Sequence, residues 1–421
     1  IYLQADTISA GLMEARSATG IEQVISTHPS SFAMARLLGE LGVEFVANDL
    51  FLTSRADFDA WAGAQKSFVM ENFYRQQRKR LNILMDGDQP MGGQWNFDAD
   101  NRLPPPKNYT YPPYLIHAMD SLDERVAQEL GHTPSGVWGT TRAAARDQLA
   151  YFLDNNFAGF GPYEVAVPVV IWVVHHSLLC TYLNIGLLHP REVIDAAMAI
   201  FDGGNVPIAS AEAFVRQIIG WREYVHGMYW FLGEDYRNGN GLDAQRPLLP
   251  VFTDSSCTRM ACVSGTIADI EQRAWVHHIP RLMILANLAL ITGVNPQEFL
   301  GWMRRVFIDA YDWVMVPNVI GMGVHADGGV MMTKPYAAGG AYISRMTNYC
   351  KGCAFDPKKR TGEDACPFTT LYWDFLDRNR AQFSKNHRMG QQLRGMDRLS
   401  DLAEVRARAE QVLAGLSAGQ I

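Results

Sequence analysis

Apolar positions in the first sixty residues alternate between two periods. Gln23 to Ser26 and Val43 to Val46 read as short strands, and Ser31 to Leu41 between them reads as a helix, so this part is α/β. Two short strands and one helix do not close a sheet, and the opening Ile1-Tyr2-Leu3 reads like the interior of a domain, so part of an α/β domain is expected to be missing. From Gly87 to Pro113 the pattern gives way to Gly, Pro, Asn and Asp, including Pro104-Pro-Pro106, and predicts an interdomain loop. Helical spacing then dominates. Helices are predicted over Ser121 to Leu130, Thr141 to Asn156, Pro190 to Phe201, Ala211 to Leu232, Ile267 to Thr292, Pro296 to Met315 and Pro367 to Asn386. The organisation expected is α+β and multi-domain: a partial α/β domain over residues 1–86, a loop over 87–113 and a large all-α domain over 114–421.

Length and composition narrow the class. The chain has 421 residues, enough for two or three domains, and its 48% hydrophobic and 19% charged content is that of a folded protein. The longest apolar run, Val165 to Val174, is interrupted by Pro168 and is too short to cross a bilayer, so it reads as core and no membrane partner is expected. The first residues lack the pattern of a signal peptide, and a cytoplasmic monomer is expected. A net charge of −7 argues against a chain coated with basic residues, yet Cys350 to Ile421 holds twelve Lys and Arg against nine Asp and Glu, a local excess of +3. Arg75-Gln-Gln-Arg-Lys-Arg80 and Lys358-Lys-Arg360 are candidate phosphate contacts.

Three of the six cysteines have the spacing of metal ligands: Cys350-Lys-Gly-Cys353 and, twelve intervening residues on, Cys366-Pro367. Cys262 or Cys257 could supply a fourth thiolate. Zinc and an iron–sulfur cluster both accept such a set, and spacing alone does not choose; a Cys-Pro ligand leans toward iron.

Several blocks together resemble the bacterial iron–sulfur cryptochrome/photolyase group, whose members include prokaryotic 6-4 photolyases. They are Gly92-Gly-Gln-Trp-Asn-Phe-Asp-Ala-Asp-Asn-Arg102, Phe160-Gly-Pro-Tyr163, the stretch from His176 to Pro190, Arg216-Gln-Ile-Ile-Gly-Trp-Arg-Glu-Tyr224, His277-His-Ile-Pro-Arg-Leu-Met283 and the cysteine set. The resemblance spans nearly the whole chain. It implies a Rossmann-like antenna domain, here only partial, followed by a helical domain that binds FAD. It also implies a 4Fe-4S cluster on Cys262, Cys350, Cys353 and Cys366, and, in several relatives, a ribityllumazine antenna.

Carried over position by position, the resemblance assigns FAD contacts to Tyr163, Ser177, Gln217, Trp221 and Arg222. Cys180 stands where relatives more often have Ser, and Arg281 and Asp309 match the pair beside the flavin ring. Met315 occupies the position facing flavin N5, where this group commonly has Glu. His278, with His277 beside it, matches the catalytic histidine block, and Pro280 departs from a usual Gln; a Pro inside a helix costs ~3 kcal/mol. Trp302 matches an electron-transfer tryptophan, which Tyr342 and Tyr336 could extend. The activity implied is light-driven repair of 6-4 photoproducts in UV-damaged DNA. Two other readings compete: a blue-light sensory cryptochrome without repair, and an iron–sulfur nucleic-acid binding module resembling that of primase large subunits.

Overall fold

The computed structural model describes residues 3–101, 103, 109–133, 135–169 and 171–421; Ile1-Tyr2, Arg102, Pro104-Pro-Pro106 and Val170 lie outside the described residues. Near the N-terminus, β1 (Ile25–Thr27) and β2 (Glu44–Val46) pair in parallel, with Ile25 opposite Glu44, and the helix Phe32–Glu40 crosses between them. That helix starts where Ser31 accepts a hydrogen bond from the Met34 N–H, a side-chain cap placed where the sequence predicts the start. A second pair, β3 (Met85–Asp86) and β4 (Gln89–Pro90), is antiparallel.

The remainder is helical. Arg55–Gly63 and Met70–Leu81 pack onto the long segment 208–232, where Phe58, Trp61 and Phe73 meet Tyr224 with ring centroids 5.9–6.2 Å apart. Contact is so close that a Cβ on Gly227 would lie 2.1 Å from the Phe58 ring, so only glycine fits there. These two helices thus share a core with the helical body, and the helix between β1 and β2 packs on the edge of the same core through Phe32 and Ala35. The Gly-rich loop is pinned to the same segment. Phe97 N–H donates to Glu212 (3.2 Å), Asn101 donates to the Ala209 carbonyl (3.2 Å), and Asp98 pairs with Arg216.

Three long predicted helices are broken, and the first two breaks carry candidate site residues. Ile267 to Thr292 is two helices, because Ala261–Arg273 ends at Ala274 in the left-handed region (φ 54°) and the chain resumes helical geometry at His278. Pro280 therefore lies in a first turn, where its missing N–H has no helical partner to lose, and the expected mid-helix penalty does not arise. Pro296 to Met315 is likewise split into Pro296–Val306 and Asp312–Val316, which leaves Asp309 in the turn between them. Pro367 to Asn386 breaks at Asn379 into Pro367–Arg378 and Arg380–Phe383.

Three helical stretches widen to π geometry: Arg216–Arg222, Pro280–Ala286 and Pro317–Gly323. Such widening is rare and is frequent at functional sites. Each stretch contains or follows residues assigned to the flavin by the resemblance.

Candidate functional site

Arg281 and Asp309 form the centre of the candidate site. The guanidinium donates twice to the carboxylate, Nη1 to Oδ1 at 2.8 Å and Nη2 to Oδ2 at 3.0 Å, and Nε donates to the Val276 carbonyl at 2.6 Å. Phe307 stacks on the guanidinium at 4.1 Å. Cys180 lies against the same carboxylate, and burial followed by the Asp309 charge pushes its thiol up. Asn184 completes the corner by donating to the Asp309 carbonyl at 3.3 Å.

The loop before Cys180–Asn184 forms one wall. Val174 and Leu178 both adopt left-handed backbone (φ 52° and 57°), a costly conformation for these residues and a mark of a loop held in shape by its surroundings. Ser177 sits between them, its carbonyl accepting from Gln148 Nε2 at 3.0 Å. His176 stacks on His277 with centroids 4.4 Å apart and planes 25° apart, and Trp275 meets His176 edge-on at 6.1 Å. Tyr163 stacks on His175 at 5.8 Å, beside Tyr109 and Tyr111.

Electrostatics follow from this packing. Burial lowers His176 to about 3 and His277 well below the ordinary imidazole value; His278 is lowered to about 4 by burial and then by the Arg281 charge. His278, Cys180 and His176 are hemmed in by protein yet keep solvent-accessible surface, as groups lining a deep cleft do. The wall also carries buried polar atoms with no partner among the described residues: Asn156 Oδ1, Trp172 Nε1, His176 Nε2, Thr181 Oγ1 and both nitrogens of His277. Buried polar groups are satisfied in nearly all proteins, so such a cluster marks a place where a polar ligand belongs.

The other predicted residues fall around this corner to differing degrees. Arg222 donates to the Leu183 carbonyl at 3.4 Å and the Leu50 carbonyl at 2.7 Å, and its neighbour Glu223 accepts from it at 3.3 Å; burial lowers Arg222 to about 10. Trp221 packs on Tyr224 at 6.2 Å, and the Gln217 side chain makes no hydrogen bond among the described residues. Met315 is buried two residues beyond Trp313. Trp302 is buried behind Phe307 (6.2 Å), so an aromatic path leads from it to Arg281. Tyr342 sits under Arg345 on the helix Gly340–Met346, on the side of the cysteines.

The second cluster is sulfur. Cys262, Cys350, Cys353 and Cys366 line one small cavity with Met260, Gly340, Ile343, Tyr349, Phe355 and Phe368. They come from three places: the helix Ala261–Arg273, the turn Tyr349–Gly352 with the residue after it, and the residue capping Pro367–Arg378. Cys257 lies elsewhere, against Gly419 near the C-terminus. Burial, then the thiols of Cys366, Cys350 and Cys353, push Cys262 up. Gly340 matters here, because a Cβ at that position would lie 2.8 Å from Cys366 Sγ. Among the described residues, no three His, Cys, Asp or Glu side chains form a group that could hold a single metal ion.

Both basic stretches singled out in the sequence are largely committed internally. Arg78 is buried and donates to the Ile83, Leu84 and Trp95 carbonyls, Arg75 pairs with Glu71, and Arg80 donates to the Leu52 carbonyl. Lys359 pairs with Asp364, and Arg360 with Asp401. Sequence reasoning missed the His176–His277 stack and the edge-on contact of Trp275 with His176. The adjacent pair His175-His176 beside Ser177 was the available signal.

A family model described as deoxyribodipyrimidine photo-lyase-related protein matches residues 1–145. The chain is 42% identical over 367 residues to the (6-4) photolyase of Agrobacterium fabrum, covering 85% of this chain and 72% of that protein. It is 35% identical over 101 residues to the uncharacterized protein R855 of Acanthamoeba polyphaga mimivirus, covering 24% of this chain and 75% of that one. Among solved structures, the bacterial class III photolyase of Agrobacterium tumefaciens superposes with a TM-score of 0.53 at 15% identity, over 98% of this chain and 83% of that chain, which shows the same fold. Among the described residues no helix is long and apolar enough to cross a membrane. By its extended identity to the A. fabrum protein, the chain belongs to the photolyase-related family and has the photolyase/cryptochrome-like fold.

Proposed function

We propose that this protein is a light-driven DNA-repair flavoprotein acting on 6-4 photoproducts. The relative at 42% identity bears that name. The observation that carries the reading is the Arg281–Asp309 pair set beside a wall of unpartnered buried polar atoms.

The residues fit a flavin. In this reading Arg281 presents positive charge to the ring, Cys180 and Asn184 hold Asp309 in register, and Ser177, Tyr163 and Arg222 border the rest of the cofactor. Bound there, FAD supplies the photoexcited electron. The protein positions and protonates. His278 opens toward solvent at the start of its helix, while His277 turns inward onto His176. A neutral imidazole offers one N–H and one lone pair, so His278 can take a proton on one nitrogen and release one from the other; a nearby DNA phosphate raises its pKa toward neutrality. Trp302, behind Phe307, is the side chain from which an electron can reach the site. Met315 has no proton to offer at the position it matches, and this favours the sensory reading as the alternative.

The four cysteines fit an iron–sulfur cluster in chemistry: four thiols from three elements face one apolar cavity, with a glycine where any side chain would meet a sulfur. A cluster there would supply structural cross-linking of the Ala261–Arg273 and Pro367–Arg378 helices. The domain division is read in the same way. The β1–β2 unit has the parallel strand–helix–strand order of a Rossmann-like domain, and the burial of Phe58, Trp61 and Phe73 in the helical body favours ending that domain before Arg55 and not at 86.

The deciding experiment is repair of duplexes carrying either a 6-4 photoproduct or a cyclobutane dimer under blue light. Restoration of the 6-4 lesion alone supports the assignment. Flavin binding and photoreduction with no repair of either lesion would leave the sensory reading.

A further inference from the structure

Acidic residues average about one in ten in this chain, 44 in 421, and the 28 residues from 328 to 355 and the 19 from 378 to 396 are among the stretches that contain none. At the average density they would hold about five. They hold instead eight Lys and Arg, in a protein whose net charge is −7. The fold joins the two segments. Asn386 Nδ2 donates to the Thr333 carbonyl at 2.6 Å, and within two residues of that bond lie Lys334, Lys385, His387 and Arg388. All four are exposed, and none has an ion-pair partner among the described residues. Three other cations of the two segments are engaged, Arg378 with Asp374, Arg380 with Asp397 and Arg345 over the Tyr342 ring, while Lys351 and Arg394 lie away from the Asn386–Thr333 bond in sequence.

The first segment also borders the candidate site. Ala338 exchanges two hydrogen bonds with Asn287 (2.8 and 3.1 Å), on the helix that begins at His278, and the Met346 carbonyl accepts from Val167 N–H at 3.1 Å, in the chain leading to the His175–Cys180 wall. Nine residues separate His278 from Asn287, about 14 Å along a helix. Unpaired cations repel one another and are not there for internal stability. Gathered on one ridge beside a cleft, in an otherwise acidic molecule, they match a polyanion.

We propose that Lys334, Lys385, His387 and Arg388 form a ridge that grips the DNA backbone beside the cleft, bearing the sequence-independent part of duplex binding. This rests on the DNA-repair reading. The basic stretches singled out from sequence, 75–80 and 358–360, are mostly tied to internal partners and cannot supply the same contacts.

The test is fluorescence anisotropy of a labelled undamaged duplex, titrated with the flavin-loaded protein at several salt concentrations. Replacing Lys334, Lys385 and Arg388 together by Ala should flatten the slope of log K against log salt by about 2 to 3, since each lost phosphate contact is worth about 0.9. Affinity at low salt should fall at least tenfold, with the flavin spectrum unchanged as the check on folding. Lys66→Ala, an exposed cation far from the ridge in sequence, should behave as wild type. A wild-type protein that binds duplex while the triple variant keeps its slope overturns the ridge alone. Wild-type protein with no affinity for duplex overturns the repair reading and the ridge with it. Binding to phosphatidylserine vesicles that is stronger than to duplex, and lost in the triple variant, would overturn DNA as the partner.

Discussion

Arg281 and Asp309 face each other in a two-pronged ion pair, at 2.8 and 3.0 Å, although 28 residues and a broken helix separate them in sequence. The break is what makes the pair possible. Asp309 is in a turn, free of helical direction, and its carboxylate reaches the first turn of the helix that starts at His278. Cys180 and Phe307 close the pair off from two sides.

Arg281→Ala leaves the Asp309 carboxylate buried without its partner, so it should destabilise the protein by about 3–5 kcal/mol, the usual cost of orphaning one member of a buried pair. Flavin retention through gel filtration should fall. Arg281→Lys keeps the charge but not the fork and should lie between. The double change Arg281→Ala with Asp309→Asn should recover part of the lost stability in thermal melts; no recovery would mean that the two groups are not coupled.

For the cysteine cavity, Gly340→Ala is a sharper probe than removing a thiol. The added Cβ would meet Cys366 Sγ and Thr369 Oγ1, each 2.8 Å away. If the four thiols hold a cluster, iron in the purified protein should drop well below that of wild type, whereas Gly352→Ala, with open space at its Cβ, should leave iron unchanged. Wild-type protein containing zinc and no iron in elemental analysis would refute the cluster.

Much of the site was legible because chemistry left its mark in residue types: the 350/353/366 spacing, the His277-His278 pair and the Arg and Asp that the resemblance aligned. Cys262 over Cys257 was not legible from spacing, since both are far away in sequence and only the fold brings one to the cavity. Helix limits were misread where it mattered most. Nothing in the apolar periodicity around 274 and 307–311 reports a break, because Trp275, Val276 and Phe307 continue the apolar spacing and are buried by tertiary contacts made outside a helix. The basic stretch at 75–80 looked like a phosphate contact, and Arg78 instead spends its donors on three carbonyls of the loop that follows.

Stability should depend on pH through the histidine stack. His176 and His277 are lowered by burial, so in the folded state they stay neutral at pH values where the unfolded chain, near 6.5, binds protons. Their contribution is therefore present above about pH 6.5 and lost as pH falls toward the folded value of about 3 for His176. Melting temperature should decline steadily from pH 7 to pH 4, and His176→Phe, which keeps a ring in the stack but cannot titrate, should flatten that decline. An equally steep decline in the variant would place the acid sensitivity in other groups.

His277 and His278 are neighbours with opposite surroundings, and that difference predicts which one repair depends on. His277 is buried against His176, before the helix begins; His278 is the first helical residue and reaches the cleft opening. His278→Ala removes little packing, so flavin content and photoreduction should persist while repair of a 6-4 lesion falls by about 10²-fold or more, the scale of a positioned proton-transfer group. His277→Ala should do the reverse: a lowered melting temperature from the lost stack, with repair per folded molecule reduced far less. Single-turnover repair under blue light, normalised to bound flavin, separates the two. Equal repair losses in both variants, at equal stability, would show that the inward ring takes part in the proton path and that the division of roles drawn from their burial is wrong.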